Sequence, residues 1–248
     1  MRLLLARHGQ SLWNEVRRFQ GGTDVALSAL GRRQAEALGR AVRGRRLAAA
    51  YVSPMQRAFE TATIALEGAG VPIVPIDELR ELSLGEWEGC TIDEISARDG
   101  DPYRRWVRAP LDCPPPGGEA LPDVCGRVLC AVDRIAAGST DWGPRHGPQT
   151  PNRSGLPGEA GAPLDSARGS DVLVVAHGGV ISVYLCHLLG CSFNMLWRLR
   201  VDNCGLTTVE PPRIVTLNDT SHLAAGAARN WPGDAVGTLR PPRDGPTA

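Results

Sequence analysis

The sequence predicts an α/β fold in three layers, a mostly parallel central sheet with helices on both faces. Two apolar runs of strand length support this, Arg2 to Ala6 (RLLLA) and Asp171 to Ala176 (DVLVVA). A strand buried on both faces reads as a continuous apolar run rather than as an alternation. The third observation is that amphipathic segments of helix length separate the strand candidates. Strands joined through helices run parallel, with the helices packed against the sheet.

Each element has its own signal. Arg2 to Ala6 runs into Arg7-His8-Gly9, which reads as a loop. Ser28 precedes Ala29 to Val42, where Leu30, Ala35, Leu38, Ala41 and Val42 share one face and Arg32, Arg33, Glu36 and Arg40 the other, the pattern of a capped amphipathic helix. Leu47 to Val52 is the next strand, and Ser53-Pro54 supplies a cap and a first-turn proline for a helix running to about Glu67. Val71 to Ile76 is β-branched but holds two prolines, so it suits an edge strand. Beyond Asp171 to Ala176, His177-Gly178-Gly179 leads into Ile181, Tyr184, Leu185 and Leu188 at helical spacing, closed by Gly190. Leu206 to Glu210 and Arg213 to Leu217 are weaker strands flanking Pro211-Pro212. Thr140 to Ser170 and Ala224 to Ala248 are rich in Gly, Pro, Ser and Ala without apolar periodicity. They are expected to form a flexible insertion after a helix, at about 140–170, and a disordered tail at 224–248.

At 248 residues the chain suits one domain, here residues 1–223 with the insertion. Twenty-seven basic residues balance twenty-seven acidic ones, so no field of one sign draws the molecule toward nucleic acid or anionic lipid, and neither partner is expected. Every basic side chain is Arg and none is Lys. No stretch approaches the roughly 20 apolar residues of a membrane span, and Met1 to Ala6 is too short for a signal-peptide core, so a soluble cytoplasmic protein is expected. The seven cysteines are odd in number and none lies in a Cys-x-x-Cys pair, which suggests neither a disulfide framework nor a metal site. Oligomeric state is not legible.

The chemistry concentrates at two strand ends. Arg7-His8-Gly9-Gln10-Ser11-Leu12-Trp13-Asn14 follows the first strand, and His177-Gly178-Gly179 follows Asp171 to Ala176. Ligands of α/β sheets gather at the carboxyl ends of strands, so the two histidines are expected at one sheet edge. A neutral imidazole can attack phosphorus and split one hard substitution into two easier ones. With Ser53-Pro54-Met55-Gln56-Arg57-Ala58, Thr61-Ala62, Leu79-Arg80-Glu81 and Gly85-Glu86-Trp87-Glu88-Gly89, this order resembles the histidine phosphatase superfamily, also called phosphoglycerate mutase-like. The resemblance runs from Met1 to about Leu223 and includes Phe19-Gln20-Gly21, Pro116-Gly117-Gly118-Glu119 and Asn218 to Leu223.

The resemblance implies that His8 is the nucleophile that becomes a phosphohistidine and that Glu81 is the proton donor. Arg7, Arg57 and His177 surround the phosphoryl oxygens, and Asn14 is an accessory phosphate ligand. The physics agrees with these roles. Phosphoryl transfer spreads charge over three equatorial oxygens, and two guanidinium forks offer up to ten N–H donors without a metal or other cofactor. Backbone N–H groups of Gly178 and Gly179 at a helix start add to them. Gln20 and Gly21 are candidate substrate contacts, with turn capping the alternative for Gln20. Trp13, Trp87 and Trp106 are candidates to line or support the site, and Trp87, closely following Glu81, is expected near its mouth. His187 and His222 are read as structural, and His146 as no ligand.

The Glu81-to-Gly89 passage with Pro116 to Glu119 is similar to the phosphatase branch, which includes α-ribazole phosphatase-like and broad-specificity members. The expected activity is that of a metal-independent phosphomonoesterase on a small phosphorylated metabolite. The alternative is a phosphoglycerate mutase, for which 2,3-bisphosphoglycerate would be the cofactor and a closed, dry site would be needed. A catalytically silent phosphate-binding module is the third reading, disfavoured because the full residue set is present.

Overall fold

The computed structural model describes residues 1–138 and 170–223. Six strands form one sheet in the order β3-β2-β4-β1-β5-β6. They are β1 (Arg2–Arg7), β2 (Leu47–Val52), β3 (Ile73–Pro75), β4 (Asp171–Ala176), β5 (Leu206–Glu210) and β6 (Arg213–Asp219). The helices are α1 (Leu12–Glu15), α2 (Ala29–Val42), α3 (Gln56–Ala65), α4 (Ile92–Arg108), α5 (Leu121–Ala136) and α6 (Gly178–Leu189). β3, β2, β4 and β1 pair in parallel, whereas β5 lies antiparallel to β1 and β6 antiparallel to β5. The mostly parallel three-layer architecture is thus present, and the proline-bearing strand β3 is an edge strand as expected. The insertion, the tail and His146 lie outside the described residues.

Strand alternation divides the core in two. Leu3 and Leu5 of β1, with Val172 and Val174 of β4, face a cluster built with Val128, Val132, Val183 and Leu185 of α5 and α6. Leu4 and Ala6, with Leu173 and Val175, face Leu38 of α2 and Ala58 and Ala62 of α3. Both faces of the central strands are therefore dry, which is why these strands read as unbroken apolar runs.

α2 begins where the sequence indicates, with the Ser28 hydroxyl accepting from the Gly31 amide at 3.1 Å. α3 differs from expectation. It starts at Gln56 with Met55 as its cap residue and ends at Ala65, so Ser53 does not cap it. α4 carries a reciprocal Thr91–Glu94 cap and α5 has Pro122 in its first turn.

The first loop and α2 touch backbone to backbone. A Cβ on Gly31 would lie 2.0 Å from the Gln10 carbonyl oxygen, and one on Gly9 would lie 2.5 Å from the Gly31 oxygen. Since backbone cannot yield as a flexible side chain does, Gly31→Ala is expected to lower stability by about 1–3 kcal/mol in urea unfolding. An unchanged midpoint would show that α2 can slide away from the loop.

Candidate active site

β1 and β4 are neighbours in register, Arg7 opposite Ala176, so the loops leaving them start side by side. His8 and His177 consequently meet, with ring centroids 5.1 Å apart. The expectation that both histidines share one sheet edge follows directly from this pairing. The surrounding cleft is lined by Arg7, His8, Asn14, Gln20, Gly21, Arg57, Glu81 and Gly178 among the residues expected from the sequence.

The His8 ring has a defined tautomer. Its Nδ1 lies 2.7 Å from the Gly9 carbonyl oxygen. A carbonyl only accepts, so Nδ1 carries the hydrogen and the neutral ring leaves Nε2 with its lone pair. Burial, with the charges of Arg57 and Arg7 adding to it, holds the His8 imidazole well below the ordinary histidine range. His177 is shifted the same way, by burial first and then by Arg57, His8 and Arg7. Both rings are therefore neutral near pH 7. The Nε2 of His177 lies 2.8 Å from the Ser53 hydroxyl, and its Nδ1 has no hydrogen-bond partner among the described residues. The Ser53 side chain thus orients a site histidine instead of a helix end.

Both arginines are buried. Burial lowers each guanidinium to about 10, with Glu81 the leading opposing charge in both cases, so each stays protonated at neutral pH. Some of their donors serve the scaffold. Arg7 Nη1 donates to the Val201 carbonyl at 2.9 Å, and Arg57 donates to the carbonyls of Thr23 and Gly21 at 2.8 and 2.9 Å. The ten N–H groups counted from sequence are thus not all available to a phosphate. The buried Arg57 Nε has no partner among the described residues.

Glu81 sits opposite the start of α6. Its carboxylate accepts from the Gly179 amide at 3.1 Å and from the Leu82 amide at 3.1 Å. A Cβ on Gly179 would lie 2.6 Å from the Glu81 carboxylate, so glycine is what lets the acid approach the helix. Of the two glycine amides expected to face phosphate, that of Gly179 is engaged by Glu81, while Gly178 lines the cleft. The rival acid Glu88 is committed to the loops, accepting from the Gly22 and Leu84 amides at 2.8 and 2.9 Å. Asn14 completes a capping box with Ser11 and receives Asn203 Nδ2 at 3.4 Å. Gln20 is buried with its Oε1 unpaired among the described residues. Gly21 adopts φ 50°, a left-handed conformation that favours glycine.

Trp87 is corrected. It does not line the cleft; it is fully buried, donates to Asp99 at 3.0 Å and packs 5.3 Å from Trp106. An indole this large is worth more in the core than at a wet rim. His222 donates to the Cys204 carbonyl at 3.0 Å, a structural contact, and His187 is exposed on α6. The sequence reading missed Asn203, whose Nδ2 holds the His8 carbonyl at 2.9 Å. It also missed Arg18, Ser182, Leu196, Trp197, Leu199 and Val201 in the lining. Those residues carry no local motif.

A family model described as the histidine phosphatase superfamily, branch 1, matches residues 3–142 and 145–219. The chain belongs to this superfamily. Within it, the chain is 34% identical over 210 residues to the bifunctional protein Rv2228c of Mycobacterium tuberculosis, covering 84% of this chain and 50% of that protein. It therefore spans about half the length of that relative. It is 29% identical over 227 residues to phosphoserine phosphatase 1 of Hydrogenobacter thermophilus, covering 90% of this chain and 94% of that one. Among solved structures, Bacillus stearothermophilus YhfR aligns with a TM-score of 0.73 and 32% identity, over 90% of this chain and 98% of that one.

The neutral, buried histidines make stability depend on pH. An unfolded chain takes up these protons near 6.5, and the folded chain does not. The unfolded state therefore binds more protons below that pH, so stability rises with pH and is lost on acidification from about 7 to 5. The limiting slope is about 1.4 kcal/mol per pH unit for each histidine. Urea midpoints in phosphate-free buffer are expected to fall across this window, and less steeply in His8→Gln. An equal slope in that variant would show that His8 does not contribute.

Proposed function

We propose that this protein is a metal-independent phosphomonoesterase that works through a phosphohistidine on His8. The observation that carries the reading is the bare Nε2 of a neutral His8, set by its Nδ1–H bond to Gly9, beside two buried arginines and Glu81. The Nε2 lone pair attacks phosphorus, the bond to the ester oxygen breaks, and Glu81 in its acid form delivers a proton to the departing alkoxide. The resulting Glu81 carboxylate then takes a proton from water, whose oxygen displaces His8 from phosphorus. Phosphate leaves, and Glu81 and His8 return to their starting states.

Arg7, Arg57 and His177 hold the phosphoryl oxygens and oppose the charge that builds on them. Because these donors are fixed by the scaffold before substrate arrives, little reorganisation is needed in the transition state. The phosphatase name of the full-length Hydrogenobacter relative supports hydrolysis as the outcome. Among the described residues no helix is long and apolar enough to cross a membrane, and no group of three or more His, Cys, Asp and Glu is placed to hold a metal ion.

The test is phosphate release from a panel of small phosphomonoesters in EDTA. Turnover is expected to persist in the chelator and to release one alcohol per phosphate. Isomerisation of 3-phosphoglycerate faster than phosphate release, and dependent on 2,3-bisphosphoglycerate, would overturn the reading in favour of a mutase.

A further inference from the structure

Besides the phosphate-facing groups, the cleft has an apolar part to its lining: Leu82 and Leu84 from the strand-free passage after Glu81, and Leu196, Trp197, Leu199 and Val201 from the 3₁₀ segment Phe193–Arg198 and its continuation. One polar atom in this wall is unexplained. Trp197 is 8% exposed, and its buried indole Nε1 has no hydrogen-bond partner among the described residues. Buried N–H groups are nearly always paired, because an unpaired one has lost its water and gained nothing in return.

The residue is also held in place. Its ring packs 4.7 Å from Trp106, which in turn packs on Trp87, so the buried aromatic chain of the core ends at the cleft wall. The segment is tied at both ends: Asn194 Oδ1 accepts from the Leu111 amide at 3.0 Å, and the Val201 carbonyl accepts from Arg7 Nη1 at 2.9 Å. The wall is thus joined to the phosphate cage through Arg7. An indole fixed in this way presents its contact surface at little entropic cost.

We propose that Trp197 is a specificity-determining residue that recognises the alcohol part of the phosphomonoester, its indole N–H donating to an acceptor oxygen set among apolar carbons. The carbons lie against Leu196 and Leu199, and the oxygen pairs the one donor that the wall leaves unmatched. The favoured substrate class is therefore phosphate esters of alcohols bearing an ether, hydroxyl or carboxylate oxygen on a largely apolar body, in preference to plain alkyl phosphates. This deepens the phosphatase reading and rests on it for turnover, though not for binding.

The test compares linear alkoxyalkyl phosphates, the ether oxygen moved one position at a time, with alkyl phosphates of equal length. In the wild-type protein at least one oxygen position is expected to raise kcat/KM about tenfold or more over its alkyl partner, the size of one hydrogen bond. In Trp197→Phe that preference, read as the ether-to-alkyl ratio of kcat/KM within each protein, should disappear whatever the overall change in turnover. Taking the ratio between the two proteins removes differences in leaving-group reactivity. No preference at any position among hydrolysed esters, or one that survives in the variant, would overturn the proposal.

A second measurement leaves Trp197 in place and does not depend on Trp197→Phe folding. The indole proton of Trp197, followed by 15N NMR in the His8→Ala protein, should move downfield with the preferred ether phosphate and stay put with its alkyl partner or inorganic phosphate. Absence of that shift would sink the assignment even if turnover continues. A shift without any turnover by the wild-type protein would support the contact and remove the phosphatase reading.

Discussion

His8→Ala protein is expected to release phosphate at least about 10⁴-fold more slowly than the wild type, the scale seen when a covalent nucleophile is removed. The alternative route, direct attack by water on the bound ester, keeps the arginine cage but loses the strong nucleophile and the two-step path. The structure adds a second expectation. His8 Nδ1 bonds to the Gly9 carbonyl immediately beside it, and the His8 carbonyl is held by Asn203. The loop is thus anchored by backbone groups as well as by the ring, and the variant should fold and still bind inorganic phosphate. The decisive check is a rapid quench of the wild-type reaction into alkali with labelled substrate. An acid-labile, alkali-stable adduct on His8 is expected, and its absence during turnover would end the covalent mechanism.

Arg57→Ala has the second largest expected effect, a fall in kcat/KM corresponding to about 3 kcal/mol or more, from two sources that can be separated. One is the lost charge and N–H donation to the phosphoryl oxygens in the transition state. The other is structural: the carbonyls of Gly21 and Thr23 lose the donors that pin their loop against α3. Arg57→Lys tests the division, because an ammonium restores the point charge but not the planar fork. Activity is expected to remain low in the lysine variant, with added guanidinium giving partial rescue in the alanine variant. A loss of less than tenfold in Arg57→Ala would place this side chain outside the reaction.

The legible part of the site was the part carried by residue type and local position. His8 and His177 each follow a buried strand, and those strand runs were unmistakable. Arg57 and Glu81 were reached through resemblance, since nothing in their own surroundings distinguishes Glu81 from Glu86 or Glu88. The structure separates them physically: Glu81 meets the Gly179 amide in the cleft, Glu88 bridges two loops, and Glu86 is exposed. α4 was not assigned from the sequence, although Thr91-x-x-Glu94, which the structure uses as a reciprocal cap, is a local signal that could have found it. Ser53 misled because a serine before a proline is the ordinary signature of a helix start, whereas here the strand register brings a histidine 124 residues away to its hydroxyl. Trp87 misled because closeness in sequence to Glu81 says nothing about which way a side chain turns.

By itself, the sequence determined the layers of the fold, the six strands in order, the helices α2, α3 and α6, and the two histidine-bearing loops. These depend on hydrophobic period, capping and turn residues, all of which act over a few positions. Only the tertiary structure decided the tautomer of His8, the orienting contact of Ser53 with His177, the hold of Asn203 on the nucleophile's loop and the apolar wall ending at Trp197. Each of those depends on where the chain is when it returns from far away. The pairing of β1 with β4 and the docking of the segment after α6 set these positions, and no local pattern of residues encodes the distances that result.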